Sequence, residues 1–144
     1  MSTKVSEKKS KKDKASSVAP PIWMDQPEEH DYPAAGKYLA LVLPESGVEA
    51  AVQALRDASL TTQKAKDILR ASGLSLLPTD NPHVASDLAK ISNGKLLSPV
   101  LLVRGDARSG RPLQVADGYH RVCASYHLDE NTDIPVKLAD LPTA

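Results

Sequence analysis

Apolar residues along this chain recur with two periods, and the switches between them mark out the elements. Leu97-Ser98-Pro99-Val100-Leu101-Leu102-Val103-Arg104 is a short apolar run interrupted by a proline and closed by Gly105, the pattern of a buried strand. Gly105-Asp106-Ala107-Arg108-Ser109-Gly110 carries the glycine and aspartate punctuation of a hairpin. Pro112-Leu113-Gln114-Val115-Ala116 then alternates like a returning strand that delivers the chain to Asp117. Val122, Cys123, Tyr126 and His127 fall at helical spacing, and Ile134-Pro135-Val136-Lys137-Leu138 predicts one more strand.

Upstream the period is helical. Val48, Ala51, Val52 and Leu55 make one stripe within Gly47 to Ala58; Ala65, Ile68 and Leu69 make another within Thr61 to Ala71, closed by Ser72-Gly73. Two helices joined by a short turn admit a helix-turn-helix reading, with Gln63, Lys64, Lys66 and Arg70 on nucleic acid; a helical pair packed over a small sheet predicts the same pattern. Lys37 to Leu43 reads as helix rather than strand, because alanine and leucine favour it. Asn81-Pro82 is a cap followed by proline at the first helical position, and Val84, Leu88 and Ile91 line the apolar side of the helix it opens.

These elements predict an α/β chain of the α+β kind, a small mixed sheet packed by helices, with an extra N-terminal helical pair and a disordered basic tail. Residues 1–33 are expected to be a disordered Lys/Pro-rich arm and 34–144 the domain, its helical extension at 37–73 and its core at 76–139. Pro20, Pro21, Pro27 and Pro33 predict an extended course through residues 15–36. Trp23, between Ile22 and Met24, is an apolar knot in that arm, placed either to dock on its own domain or to meet a protein partner.

Composition narrows the picture further. Phenylalanine is absent and aromatics are 3% of 144 residues, so the core must be built from Leu, Val, Ile and Ala. Eighteen basic against eighteen acidic residues argue against a wholly basic nucleic-acid binder. The balance is uneven, since Lys4, Lys8, Lys9, Lys11, Lys12 and Lys14 crowd the amino terminus; this is a solvated tail or one that grips nucleic acid. One cysteine excludes an intrachain disulfide and fits a reducing compartment. No run approaches the ~18 apolar residues of a membrane span, and the lysine-rich start lacks a signal peptide's apolar stretch, so a cytoplasmic protein with no membrane partner is expected.

The chemistry concentrates in Asp117-Gly118-Tyr119-His120-Arg121-Val122-Cys123-Ala124. A glycine that frees the backbone, two side chains able to carry positive charge, and then a helical pattern make an anion cradle at a helix start. On the preceding helix His83, Ser86 and Lys90 fall at i, i+3 and i+7 and so share a stripe. With His120 and Arg121 they would form a basic pocket at two helix starts, suited to phosphate oxygens; a solvated helix face with unrelated polar residues is the competing reading. Arg121 would clamp the oxyanion, and Tyr119 would stand at the mouth for a base or sugar. Asp117 either caps the helix or serves as the acid that orders Mg²⁺ or takes a proton, and His120 is phosphate ligand, general base or core histidine. His120, Cys123 and His127 have zinc-ligand spacing, but without a second cluster the set is incomplete.

Four fragments together resemble the ParB and sulfiredoxin superfamily of small α/β domains, which includes chromosome-partition proteins, sulfiredoxins and a free-serine kinase. They are Leu77-Pro78-Thr79-Asp80-Asn81-Pro82, Ser98 to Val103, Asp117 to Ala124, and Ile134-Pro135-Val136, spanning Leu77 to Ala139. In sulfiredoxins a lysine, a serine and a threonine of the first helix join the His-Arg pair on the phosphates of ATP. The resemblance matches Ser86, His120 and Arg121 to that set, with His83 and Lys90 at the lysine and threonine positions. Where a sulfiredoxin has its cysteine, this chain has Tyr119, whose phenol cannot act as the thiolate, so reductase activity is not expected. In partition proteins a DNA-reading domain follows this core; here six residues follow Leu138.

The resemblance thus implies a phosphate- and nucleotide-binding domain taking ATP or another NTP with Mg²⁺, with slow hydrolysis or phosphoryl transfer served by Asp117 and His120. The alternatives are a nucleic-acid-associated module or ParB-like nuclease aided by the lysine tail, and a non-catalytic adaptor acting through the Trp23 arm.

Overall fold

The structure is a computed structural model and describes residues 19–141. In chain order it contains β1 (Ile22–Trp23), α1 (Asp31–Leu39), α2 (Glu45–Asp57), β2 (Leu60–Lys64), α3 (Ala65–Ser72), α4 (Pro82–Ser92), β3 (Leu96–Leu97), β4 (Val100–Val103), β5 (Gln114–Asp117), α5 (Tyr119–Leu128) and β6 (Asp133–Ala139). The fold is α+β. A four-stranded mixed sheet runs in the order β2-β6-β4-β5, and β1 pairs separately with β3. β6 lies parallel to β4 (Val100 beside Val136, Val103 beside Ala139) and antiparallel to β2.

The unbroken apolar run of β4 follows from its position between two cores. Val100 and Leu102 point into one, with Ile68, Val84, Ile91, Val122, Cys123, Ile134 and Val136 from α3, α4, α5 and β6. Leu101 and Val103 point into the other, with Tyr32, Ala35, Leu39, Ala51 and Leu55 from α1 and α2. A strand buried on both faces has no solvent side to alternate toward. β5 pairs antiparallel with β4, and the register shifts between Leu101 and Leu102, so that Asp117 ends up beside Leu101 at the end of the sheet.

Two expectations are corrected. Thr61 to Lys64 is not helical but forms the edge strand β2, with Thr62 beside Pro135 and Lys64 beside Asp133, where the two charges pair at 2.8 Å. The helix begins only at Ala65, so a strand separates α2 from α3 and the helix-turn-helix reading of Gln63, Lys64, Lys66 and Arg70 falls. β-branched Thr61 and Thr62 suit an exposed edge, and the free flank of β6 supplied one.

The second correction concerns the arm. Disorder to residue 33 does not hold for residues 19–33: β1 is paired parallel to β3, Trp23 packs against the core, and α1 starts at Asp31. Pro33 sits in the first turn of α1, where a missing N–H removes no helix bond, while Tyr32, Ala35 and Leu39 form the buried stripe. Lys37 is helical as expected, but the helix ends at Leu39. The lysines expected to make a tail lie outside the described residues. Among the described residues no helix is long and apolar enough to cross a membrane.

Candidate functional site

Local chemistry places each side chain. At the end of β5 the chain turns at Gly118, whose φ is +111° and where a Cβ would come within 2.8 Å of Val100 Cγ2 and 2.9 Å of Arg121 Nη2. A side chain is excluded there twice over, by backbone conformation and by space. α5 follows without a side-chain cap, and its first intrahelical bond is Val122 N–H to Gly118 O at 3.0 Å. The amides of Tyr119, His120 and Arg121 therefore have no partner within the helix. α4 is capped differently: Asn81 Oδ1 accepts the amides of His83 and Val84 at 3.0 and 3.1 Å. The cap expected at Asn81 is thus present, and it takes up two of the amides at the α4 start, so the expectation of a pocket fed by two helix starts is corrected. α5 offers its start, and α4 offers its flank.

Between them lies a cavity of about 200 Å³ lined by His83, Ser86, Asp87, Lys90, Asp117, Gly118, His120 and Arg121. Seven residues singled out from the sequence thus meet in one place. Tyr119 does not line it: its hydroxyl donates to the Ser75 carbonyl at 2.6 Å, fastening α5 to the 73–77 segment, while its ring rests 5.6 Å from that of His120. The imidazoles of His83 and His120 stand 4.7 Å apart between centroids, tilted by 46°.

Asp87 is not singled out by the sequence pattern, yet it is i+4 from His83 and i−3 from Lys90, on the same stripe. It is 9% exposed, and Lys90 Nζ stands 3.9 Å from its Oδ1. Burial pushes its carboxyl above the usual range, against the pull of Arg121, Lys90, His120 and His83. Burial likewise raises Asp117, with Arg121 opposing. His120 is shifted down, by burial first and then by the neighbouring His83. The cavity is therefore mixed in charge rather than basic, which corrects the expectation from His83, Lys90, His120 and Arg121 alone.

Arg121 is the most constrained of the set. Its Nη2 donates to Asp117 Oδ2 at 2.8 Å, approaches the Pro99 carbonyl at 3.4 Å and stands 3.9 Å from Asp31 Oδ2. Asp31 is 3% exposed and accepts a short hydrogen bond from Ser98 Oγ, which itself accepts the Glu28 amide at 3.1 Å. Arg121 Nε is buried without a partner. Asp117 is thus no helix cap; its carboxylate holds the guanidinium. The zinc spacing does not converge, because Cys123 is fully buried in the core and His127 Nε2 is 2.7 Å from the Leu77 carbonyl.

No protein-family model, no curated protein and no solved structure matches the chain.

Proposed function

We propose that this cavity binds the phosphate groups of a nucleotide, ATP or another NTP. The observation that carries the reading is convergence: His83, Ser86 and Lys90 from one helix and His120 and Arg121 from another face one cavity at the uncapped start of α5. Anion binding at such a start draws on unpartnered amides and on the helix dipole together. At about 200 Å³ the cavity is smaller than the ~300–1,000 Å³ that encloses a whole small-molecule ligand, so the phosphates enter and the nucleoside stays outside.

Asp87 and Asp117 bring carboxylate oxygens to the same cavity, and such donors fit Mg²⁺. They would hold the ion, which would supply charge neutralisation to the phosphates and to the two carboxylates that burial disfavours. In hydrolysis or phosphoryl transfer His120, shifted toward its neutral form, is the proton acceptor. Asp117 contributes by holding Arg121 in place.

Titration calorimetry with ATP, CTP, GTP and ADP, each with and without Mg²⁺, tests the reading. Saturable binding is expected, weakened roughly tenfold or more by Lys90→Ala, since a charge-assisted hydrogen bond contributes about 1.5–3 kcal/mol. Lys90 is exposed, so its loss leaves the fold intact. No binding by a folded sample overturns the reading. Binding to DNA that weakens steeply with salt, with none to free nucleotides, would assign the same chemistry to backbone phosphates.

A further inference from the structure

A second concavity, of about 370 Å³, is lined by Lys66, Leu69, Arg70, Leu74, Leu76 and Tyr126, and shares no residue with the phosphate cavity. Its apolar wall is held outward by a fixed backbone. The segment 74–78 has no regular secondary structure, but the Leu74 amide donates to Ser72 Oγ at 3.3 Å, Tyr119 Oη donates to the Ser75 carbonyl at 2.6 Å, and His127 Nε2 meets the Leu77 carbonyl at 2.7 Å. Leu77 packs against the core, whereas Leu74 and Leu76 remain 40% and 38% exposed. The carbonyls of Ser75 and Leu77 are thus anchored, while the Leu74 and Leu76 side chains are presented.

The charged wall is basic. Lys66 and Arg70 stand one turn apart on α3, i and i+4, and no acid lines the groove. Among the described residues Lys66 has no ion-pair partner, and Arg70 has Asp67 at 3.5 Å. Glu130 accepts from the Tyr126 hydroxyl at 3.2 Å. Two cations beside two presented leucines fit a ligand that is aliphatic and acidic at once. The chain's own amino terminus is the wrong occupant: residues 1–18 contain six lysines and no leucine.

We infer that this groove docks a short acidic and aliphatic peptide of a partner protein. A Leu or Ile of the peptide seats on Leu74 and Leu76, and flanking Asp or Glu residues meet Lys66 and Arg70. Apolar contact sets the affinity, and the charges select the partner and speed its approach.

Panning a random-peptide display library on the full chain tests this, with counter-selection on the Leu74→Asp/Leu76→Asp variant. Enriched peptides should carry an aliphatic residue flanked by Asp or Glu. Their affinity, read by fluorescence anisotropy, should fall about tenfold or more, a factor equal to 1.4 kcal/mol, in that variant and in Lys66→Glu/Arg70→Glu. All four positions are exposed, and circular dichroism confirms that both variants are folded. No enrichment, enrichment of basic sequences, or equal binding to the variants overturns the proposal. So does adsorption to anionic vesicles that both variants abolish, which would make the groove a membrane contact. The inference stands independently of the phosphate cavity, because neither variant touches that cavity's lining.

Discussion

Arg121 shows what one residue in this site must do twice. Its guanidinium lines the cavity, yet Nη2 is shared among Asp117, Asp31 and the Pro99 carbonyl, so the same group neutralises buried carboxylates of the fold. Arg121→Ala should therefore destabilise the chain by about 3–5 kcal/mol in a denaturant titration, the usual result of stranding buried charge. Lys90, exposed on α4, is the cleaner probe of ligand binding. Asp87 gives a second prediction. Its raised pKa means the folded state holds the proton more tightly than the unfolded chain, so stability is unpenalised below 3.8 and falls as pH rises through the folded value. Asp87→Asn should be more stable than the parent at neutral pH and should flatten that slope. His120 acts in the opposite sense: with its pKa lowered, stability rises with pH up to the ordinary value of 6.5, and His120→Gln should remove that rise.

Among the elements, α4 depends on a single side chain for its start. Asn81→Ala leaves the amides of His83 and Val84 without their acceptor and should lower thermal stability by about 1 kcal/mol; a variant as stable as the parent would contradict the assignment of the cap. This cap, β4 and the Gly118 turn were legible in the sequence because each rests on local chemistry: an Asn-Pro pair, an unbroken apolar run, a glycine before a helical stripe. β2 and α1 were not. Thr61 to Lys64 has neither the alternation of a half-buried strand nor apolar weight, and its state is set by a partner more than sixty residues away in β6. Pro33 disguised α1 as arm, although the Tyr32, Ala35 and Leu39 stripe carries the right period. In the cavity, periodicity brought His83, Ser86 and Lys90 together and would have included Asp87 had acids been read along with bases. The ties of Ser98 to Asp31 and of Asp31 to Arg121 join distant segments, and no local pattern announces them.

At the scale of the whole molecule, one sheet separates two cores, and the cavity lies where β5 ends against the first residue of β4. Helices α4 and α5 cover one face and α1 and α2 the other, yet Asp31 at the start of α1 reaches Arg121 past the end of the sheet. The Ser98 hydroxyl bridges 67 residues to Asp31 and 70 to the Glu28 amide. Both ties lie outside the sheet, whose own strands are paired without them. The surroundings of Arg121 are therefore complete only with the amino-terminal strap seated, although Asp117 and the Pro99 carbonyl hold its guanidinium from the sheet side. Exchange of the Glu28 amide with heavy water should then report how often the strap opens, because that amide's bond to Ser98 joins the strap to the residues just before β4. The strap is the clasp that brings Asp31 to Arg121.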